Sequence, residues 1–280
     1  MAGGSHVTKK TTRKLPLIKG ESCLIDTHCH LDMGAYNDDL AAVLESAQTG
    51  GVRAVITIGI DLESSEAAIA LASRYPMVHA TVGIHPHDVG NIDMSELEDI
   101  ESLIERGAGK IVGYGEIGLD YVKRYCDIDI QKKLFAAQLS IAKNHNLPVV
   151  IHDREAHDDI LRILKDHGPF DNGGVMHCFS GDLEFARKTM ELGFHISIPG
   201  IVTFKNATAL HEVATKIPLE AMIIETDGPF LAPEPFRGKR NEPLYVLYTA
   251  DCIAGLRTIG LEELAEKTTA NALKLFGFSL

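Results

Sequence analysis

Leu24-Ile25-Asp26-Thr27-His28-Cys29-His30 is an apolar run that ends in two histidines one residue apart, followed by Leu31-Asp32. In an extended strand, residues i and i+2 share a face. His28 and His30 therefore project together and Cys29 points away. Two imidazoles so placed can grip one cation. The same pattern also fits a strand end with two hydrogen-bonded histidines. The choice rests on whether further ligands arrive at equivalent places later in the chain.

From residue 23 onward, short apolar runs alternate with amphipathic stretches. The runs Cys23–His28, Arg53–Gly59, Val78–His85, Ile111–Leu119, Pro148–His152, Gly174–Phe179, His195–Pro199 and Ala221–Asp227 read as strands. Between them, Asp38–Thr49, Asp61–Arg74, Ser95–Glu105, Asp127–His145, Glu155–Asp166, Leu183–Leu192 and Ala207–Ala214 carry helical spacing. Pro243–Phe276 holds one helix and a second, short one. Strictly alternating strands and helices imply parallel pairing through crossovers. Eight such units predict a closed (β/α)8 TIM barrel of the metallo-dependent hydrolase type, as one domain over residues 21–280. A doubly wound open sheet is the competing architecture, but no G-x-G-x-x-G follows the first strand.

In a parallel barrel, functional side chains gather where strands end. Here the ends deliver His28 and His30, then His85 and His87, then Glu116 and Asp120, then His152 with Asp153 and Arg154, then His177, and finally Glu225 and Asp227. Each has an ordinary structural explanation, such as a helix cap or a hydrogen-bonded buried histidine. Their convergence on one rim suits a pair of divalent cations, with mixed nitrogen and oxygen ligands that fit Mg2+, Mn2+ or Zn2+. Glu116 is placed to bridge the two. Asp227 can bind metal and accept a proton from attacking water. Glu225, one layer deeper on the same face, reads as support behind the ligands.

Composition narrows the classes. The chain has 280 residues, 45% hydrophobic, enough for one large core. A net charge of −12 excludes a generally basic nucleic-acid surface, while leaving open a local basic patch or a cation-bridged phosphate. Five scattered cysteines without C-x-x-C predict reduced thiols and a cytoplasmic setting. No apolar run has transmembrane length, so no membrane partner is expected. Lys9, Lys10, Arg13 and Lys14 lie in residues 1–20, read as a largely flexible basic tail without the apolar region of a secretory signal.

Several motifs together resemble the TatD-related metal-dependent deoxyribonucleases: Asp26-Thr27-His28-Cys29-His30, Gly83-Ile84-His85-Pro86-His87, Gly115-Glu116-Ile117-Gly118-Leu119-Asp120, Ile151-His152-Asp153-Arg154-Glu155-Ala156, His177-Cys178-Phe179-Ser180-Gly181, Glu225-Thr226-Asp227 and Arg237-Gly238-Lys239-Arg240-Asn241-Glu242-Pro243. They run in order from about residue 24 to 277. The resemblance implies a TIM barrel, a two-metal centre, and hydrolysis of DNA phosphodiester bonds, often from the 3′ end. It puts His28, His30, Glu116, His152, His177 and Asp227 in the metal site, with Asp227, Glu116 and His85 catalytic. His85, His87, Arg154, Arg237, Lys239 and Arg240 would touch substrate.

The chain departs from the family pattern at Gly228, where Ser or Ala is common, at Val122, where an aromatic is common, and at Asp153, where Ser or Cys is common. Asp153 and Gly228 are expected to bear on the pocket's preference.

Arg237, Lys239 and Arg240 form a basic loop after the last strand, suited to a nucleic-acid backbone. No regular aromatic interleaving and no tryptophan is present, so base stacking is not foreseen. No sequence-reading motif appears either. The expected partner is therefore DNA as substrate, held by metals and a local basic rim, and the expected state is a monomer. The rival readings are an amidohydrolase-type barrel acting on an amide, lactone or nucleotide-linked ester, and a non-catalytic metal-binding scaffold. Many two-metal members of the first group bridge their cations with a modified lysine on the fourth strand, where this chain has Glu116.

Overall fold

The computed structural model describes residues 14–90, 95–107, 109–123 and 125–280. The expected strands are present as β1 Leu24–Cys29, β2 Val52–Ile58, β3 Val78–Val82, β4 Ile111–Asp120, β5 Val149–Arg154, β6 Gly174–Met176, β7 Phe194–Ile198 and β8 Met222–Ile224. They pair in parallel, in sequence order. The ring closes at the rim between the ends of the chain. Asp227 N–H donates to the His28 carbonyl (2.9 Å), His30 N–H donates to the Gly228 carbonyl (2.7 Å), and Cys29 bridges Gly228. The TIM barrel is thus observed.

Outside lie α1 Leu40–Thr49, α2 Leu62–Arg74, α3 Ser95–Arg106, α4 Ile128–Asn144, α5 His157–His167, α6 Leu183–Glu191, α7 Thr208–Lys216, α8 Val246–Arg257 and α9 Leu261–Phe276. Several helices start at the rim on an aspartate that satisfies a free backbone N–H. Asp61 accepts from Ser64 N–H (2.7 Å), Asp127 from Asp129 N–H (2.7 Å) and Asp182 from Phe185 N–H (2.8 Å). Helix α9 is longer than expected, at sixteen residues. Leu264, Ala265, Thr268, Ala272 and Leu275 keep helical spacing and bury one face.

Ile25, Ile56, Val112, Val150, Val175 and Ile223 fill the barrel, and Leu275 and Phe276 at the end of α9 pack against them. Each such aliphatic side chain stabilises the fold by about 1.5–3 kcal/mol on burial. Alternation fails once in β1. Ile25 belongs to the interior and so does His28, three residues on, across a register shift between Asp26 and Cys29.

Three strand ends fall earlier than expected. His85, His177 and Asp227 sit just beyond β3, β6 and β8 rather than on them. After β6 and β8 the chain leaves extended geometry at Cys178 (φ 44°) and Asp227 (φ 59°). The expected basic tail lies only partly within the described residues. Residues 1–13, with Lys9, Lys10 and Arg13, lie outside the described residues, but Leu15 and Ile18 pack against the core, and Lys19 N–H donates to Glu262 (3.2 Å). All five cysteines are free. Among the described residues, no single helix is long and apolar enough to cross a membrane.

Candidate metal centre

Glu116 is the hub. It reaches the barrel axis from β4, and its two carboxylate oxygens face different sets of nitrogens. Oε2 lies 3.4 Å from His28 Nε2 and 3.8 Å from His30 Nε2. Oε1 lies 2.7 Å from His152 Nδ1, 2.9 Å from His177 Nε2 and 3.4 Å from His85 Nε2. Asp227 joins the first set, its Oδ1 standing 3.6 Å from His30 Nε2 and 3.8 Å from His28 Nε2. Gly118 lets β4 lie this close to β5, since a Cβ there would strike the His152 carbonyl oxygen.

Donors about 2.0–2.1 Å from one tetrahedral cation lie about 3.4 Å from each other. The spacings around Oε2 are close to this, those from Oε1 to His152 and His177 are shorter, and His28, His30 and Glu116 on one side, with Glu116, His152 and His177 on the other, each form a group able to hold an ion. The donor set, imidazole nitrogens with carboxylate oxygens, therefore fits divalent-cation binding.

Carboxylates stand behind the second set. His152 Nε2 is 3.4 Å from Asp120 Oδ2, and His177 Nδ1 is 3.2 Å from Glu225 Oε1. With His152 ligating through Nδ1, its proton sits on Nε2, facing Asp120. With His177 ligating through Nε2, its proton faces Glu225. Such partners fix the tautomer and raise ligand basicity. Glu225 is itself held by the Cys178 N–H (2.8 Å) and the Ser197 hydroxyl (2.5 Å).

The electrostatics follow from burial set against proximity. Burial alone would push the Glu116 carboxyl up, but the imidazoles of His177, His85 and His152 hold it well below its usual range. Burial likewise opposes ionisation of Asp227, and His30, His177 and His28 outweigh it, lowering the carboxyl. His177 is raised well above the usual imidazole value, because Glu116 and Glu225 overcome its burial. His85 goes the other way, pushed down to about 4, chiefly by burial. Its Nδ1 accepts from His87 N–H (3.1 Å), so its proton lies on Nε2, toward Glu116.

The residues expected to touch substrate divide. His85, His87 and Arg154 line a cavity of about 450 Å³ above Glu116, together with Lys123, Phe230 and Leu231. Arg237, Lys239 and Arg240 are absent from its lining. Arg240 is captured: its guanidinium donates to both oxygens of Asp39 (2.8 and 2.7 Å), to Glu242 (2.8 Å) and to the Ala35 carbonyl (2.7 Å). This clamps the segment after β8 onto the segment after β1. Arg237 lies over the Phe204 ring at 4.5 Å, and Lys239 is exposed.

The family departures also find their place. A Cβ on Gly228 would sit 2.6 Å from the Tyr36 hydroxyl and 2.9 Å from Cys29 Sγ, so those two side chains fill the space a larger residue would need. Asp153 lines the cavity, and its carboxylate accepts from Ala156 N–H (3.2 Å) and pairs with His157 Nδ1 (2.7 Å). Its charge serves the start of α5. The exposed Val122 follows Tyr121 in the loop after β4.

Reading from residues alone put Asp120 on the rim without giving it a role; it takes His87 Nε2 at 2.7 Å as well as His152, while the N–H groups of Val122 and Lys123 donate to its other oxygen. The signal was available: Asp120 lies four residues beyond Glu116 at a strand end. That reading also missed the role of Asp26, which accepts from the Thr226 hydroxyl (2.6 Å) and Thr226 N–H (2.8 Å) and ties β1 to the end of β8.

Known proteins resemble this arrangement across nearly the whole chain. The family model described as TatD related DNase matches residues 25–277. The uncharacterized metal-dependent hydrolase YabD of Bacillus subtilis is 45% identical over 90% of this chain and 98% of its own length. The uncharacterized metal-dependent hydrolase YcfH of Escherichia coli is 38% identical over 90% and 95%. The crystal structure of the TatD homologue YjjV from Escherichia coli K12 superposes with a TM-score of 0.89 at 32% identity, covering 93% of this chain and all of that one.

Proposed function

This chain belongs to the TatD-related DNase family, and from that premise we propose that it is a metal-dependent hydrolase that cleaves DNA phosphodiester bonds at a two-metal centre, as a 3′ to 5′ exonuclease. The observation that carries the reading is the divided carboxylate of Glu116, with His28, His30 and Asp227 around one oxygen and His152 and His177 around the other. Divalent cations bound there supply a water activated near neutral pH and neutralise charge building on the phosphoryl group.

The protein's own groups do the rest. Asp227, kept ionised, accepts the proton of the attacking water. His85, neutral at pH 7, holds its Nε2–H beside Glu116 in the cavity lining, where it could also donate to a bound phosphate. Lys123 and Arg154 put positive charge at the mouth, which suits an anionic backbone better than a neutral amide or lactone. A glutamate bridge, where many two-metal amidohydrolases carry a modified lysine, supports the same choice. The free cysteines support a reducing, cytoplasmic setting.

The test is hydrolysis of a 3′-labelled single-stranded oligonucleotide with magnesium, manganese, zinc or chelator, beside His152→Ala. The expected result is metal-dependent loss of 3′ nucleotides that disappears in the variant. No cleavage with any metal, by a protein that binds the metal, would move the assignment to another ester or amide.

A further inference from the structure

Phe230 and Leu231 are large apolar side chains left 48% and 40% exposed at the mouth of a cavity that also holds the imidazoles and carboxylates of the centre. They are held there firmly. The buried Asn241 side chain donates to the carbonyls of Thr226 and Phe230 (2.7 Å each), and Phe230 N–H donates to the Asp227 carbonyl (2.9 Å). Leu231 keeps a left-handed backbone, φ 52°, which a branched side chain seldom adopts unless its surroundings impose it. The Phe230 ring meets the His30 imidazole edge-on, with centroids 5.9 Å apart, so the apolar face begins where the metal ligands end. A rigid loop that presents apolar surface to water beside a polar centre has the character of a ligand wall.

Strand order places this wall. Phe230 and Leu231 follow β8, with Met33 after β1 and Ile201 after β7 completing it. Lys123 and Arg154 come from the ends of β4 and β5, half a barrel away. The mouth is therefore apolar and aromatic on one side and carries the two cations, beside Asp88 and Asp153, on the other, with Glu116 between. A small anion would use only the cations, and a neutral ester only the wall. A nucleotide, with a flat apolar base joined to phosphate, uses both.

The geometry points to Phe230 as the platform on which the base of the terminal nucleotide stacks, with Leu231 as its edge. The phosphate of the scissile bond then lies over the metal centre, and the preceding backbone runs toward Lys123 and Arg154. This rests on the nuclease reading above and adds to it a residue that recognises the base without reading its identity, since every base offers a stacking face.

The experiment measures binding of an oligothymidine with a hydrolysis-resistant phosphorothioate at its 3′ linkage, and of the same strand with an abasic 3′ nucleotide, by fluorescence anisotropy in manganese. The full-length protein is compared with Phe230→Ala and Phe230→Trp. The native protein is expected to prefer the base-bearing strand by about tenfold. Phe230→Ala should bring that preference below about twofold, and Phe230→Trp should retain it. Equal affinity of the native protein for both strands, or an unchanged preference in Phe230→Ala, would overturn the platform alone if the native protein still cuts DNA. Absence of both binding and cutting by the native protein would overturn the platform together with the nuclease reading.

Discussion

On β5, Val150 lies in the apolar filling of the barrel, and His152, two residues on, faces Glu116. The same step recurs on β6, from Val175 to His177. Below it, the interior is Ile, Val and Ala capped by Leu275 and Phe276. Above it, His28, His30, His85, Glu116, His177, Glu225 and Asp227 are all buried. Burying so many ionisable groups costs stability that apolar side chains in their place would supply. One strand thus performs two tasks separated by a single side-chain layer: the lower layer holds the barrel together, and the upper layer is kept for chemistry despite what it costs the fold.

That division can be broken at its sharpest point by Asp227→Asn, which preserves size and hydrogen-bonding capacity. Turnover should fall at least about a thousandfold, equivalent to about 4 kcal/mol of barrier, while circular dichroism and thermal midpoint stay near native. A variant that unfolds would show that the upper layer also carries the fold. The converse is Ile56→Ala in the lower layer. It should cost about 2–5 kcal/mol in urea unfolding, with turnover per folded molecule retained. Between the two stands Glu225→Gln, which leaves the ligands in place and removes the charge behind His177. Metal affinity, read by competition with a chromophoric chelator, should weaken about 10–100-fold. Unchanged affinity would return Glu225 to a purely structural part.

The smallest effect lies on the rim outside the centre. Hydrogen bonding to Asp153 raises His157 above 6.5. Because the folded value is the higher one, this pair's stabilisation is fully present below about pH 6.5 and is lost as the pH rises through the folded value. His157→Gln should therefore lower the thermal midpoint by about a degree in mildly acidic buffer, in keeping with a partly exposed pair. It should do nothing in alkaline buffer. A deficit that persists at high pH would mean that His157 acts by packing on Phe185, whose ring it stacks against at 4.3 Å.

Much of this was legible in the residues, for identifiable reasons. The strands show as apolar runs because barrel strands are buried on both faces, and the ligand positions show because strand ends in a parallel barrel share one rim. What stayed hidden depends on long-range contacts. Arg240 is a cation in the sequence and a clamp in the fold only because Asp39, some two hundred positions earlier, comes to meet it. Phe230 carries no signal of its own in the sequence, and only the loop after β8 turns it outward. Gly228 looks like a widened pocket until Tyr36 and Cys29 are found beside it.

The closure of the barrel bears on when the molecule becomes competent during its synthesis. His28 and His30 are made early. Asp227, which completes their set, and the Thr226 that clasps Asp26 come about two hundred residues later. Contacts of such separation form late, because the intervening chain must first be ordered. A ribosome-bound chain, or a fragment cut before β8, holds the histidines and Glu116 in an unclosed sheet, and lacks the Asp227 that completes the set around His28 and His30. Catalytic competence is thereby coupled to completion of the whole ring, and metal retention reports that the two ends of the chain have met.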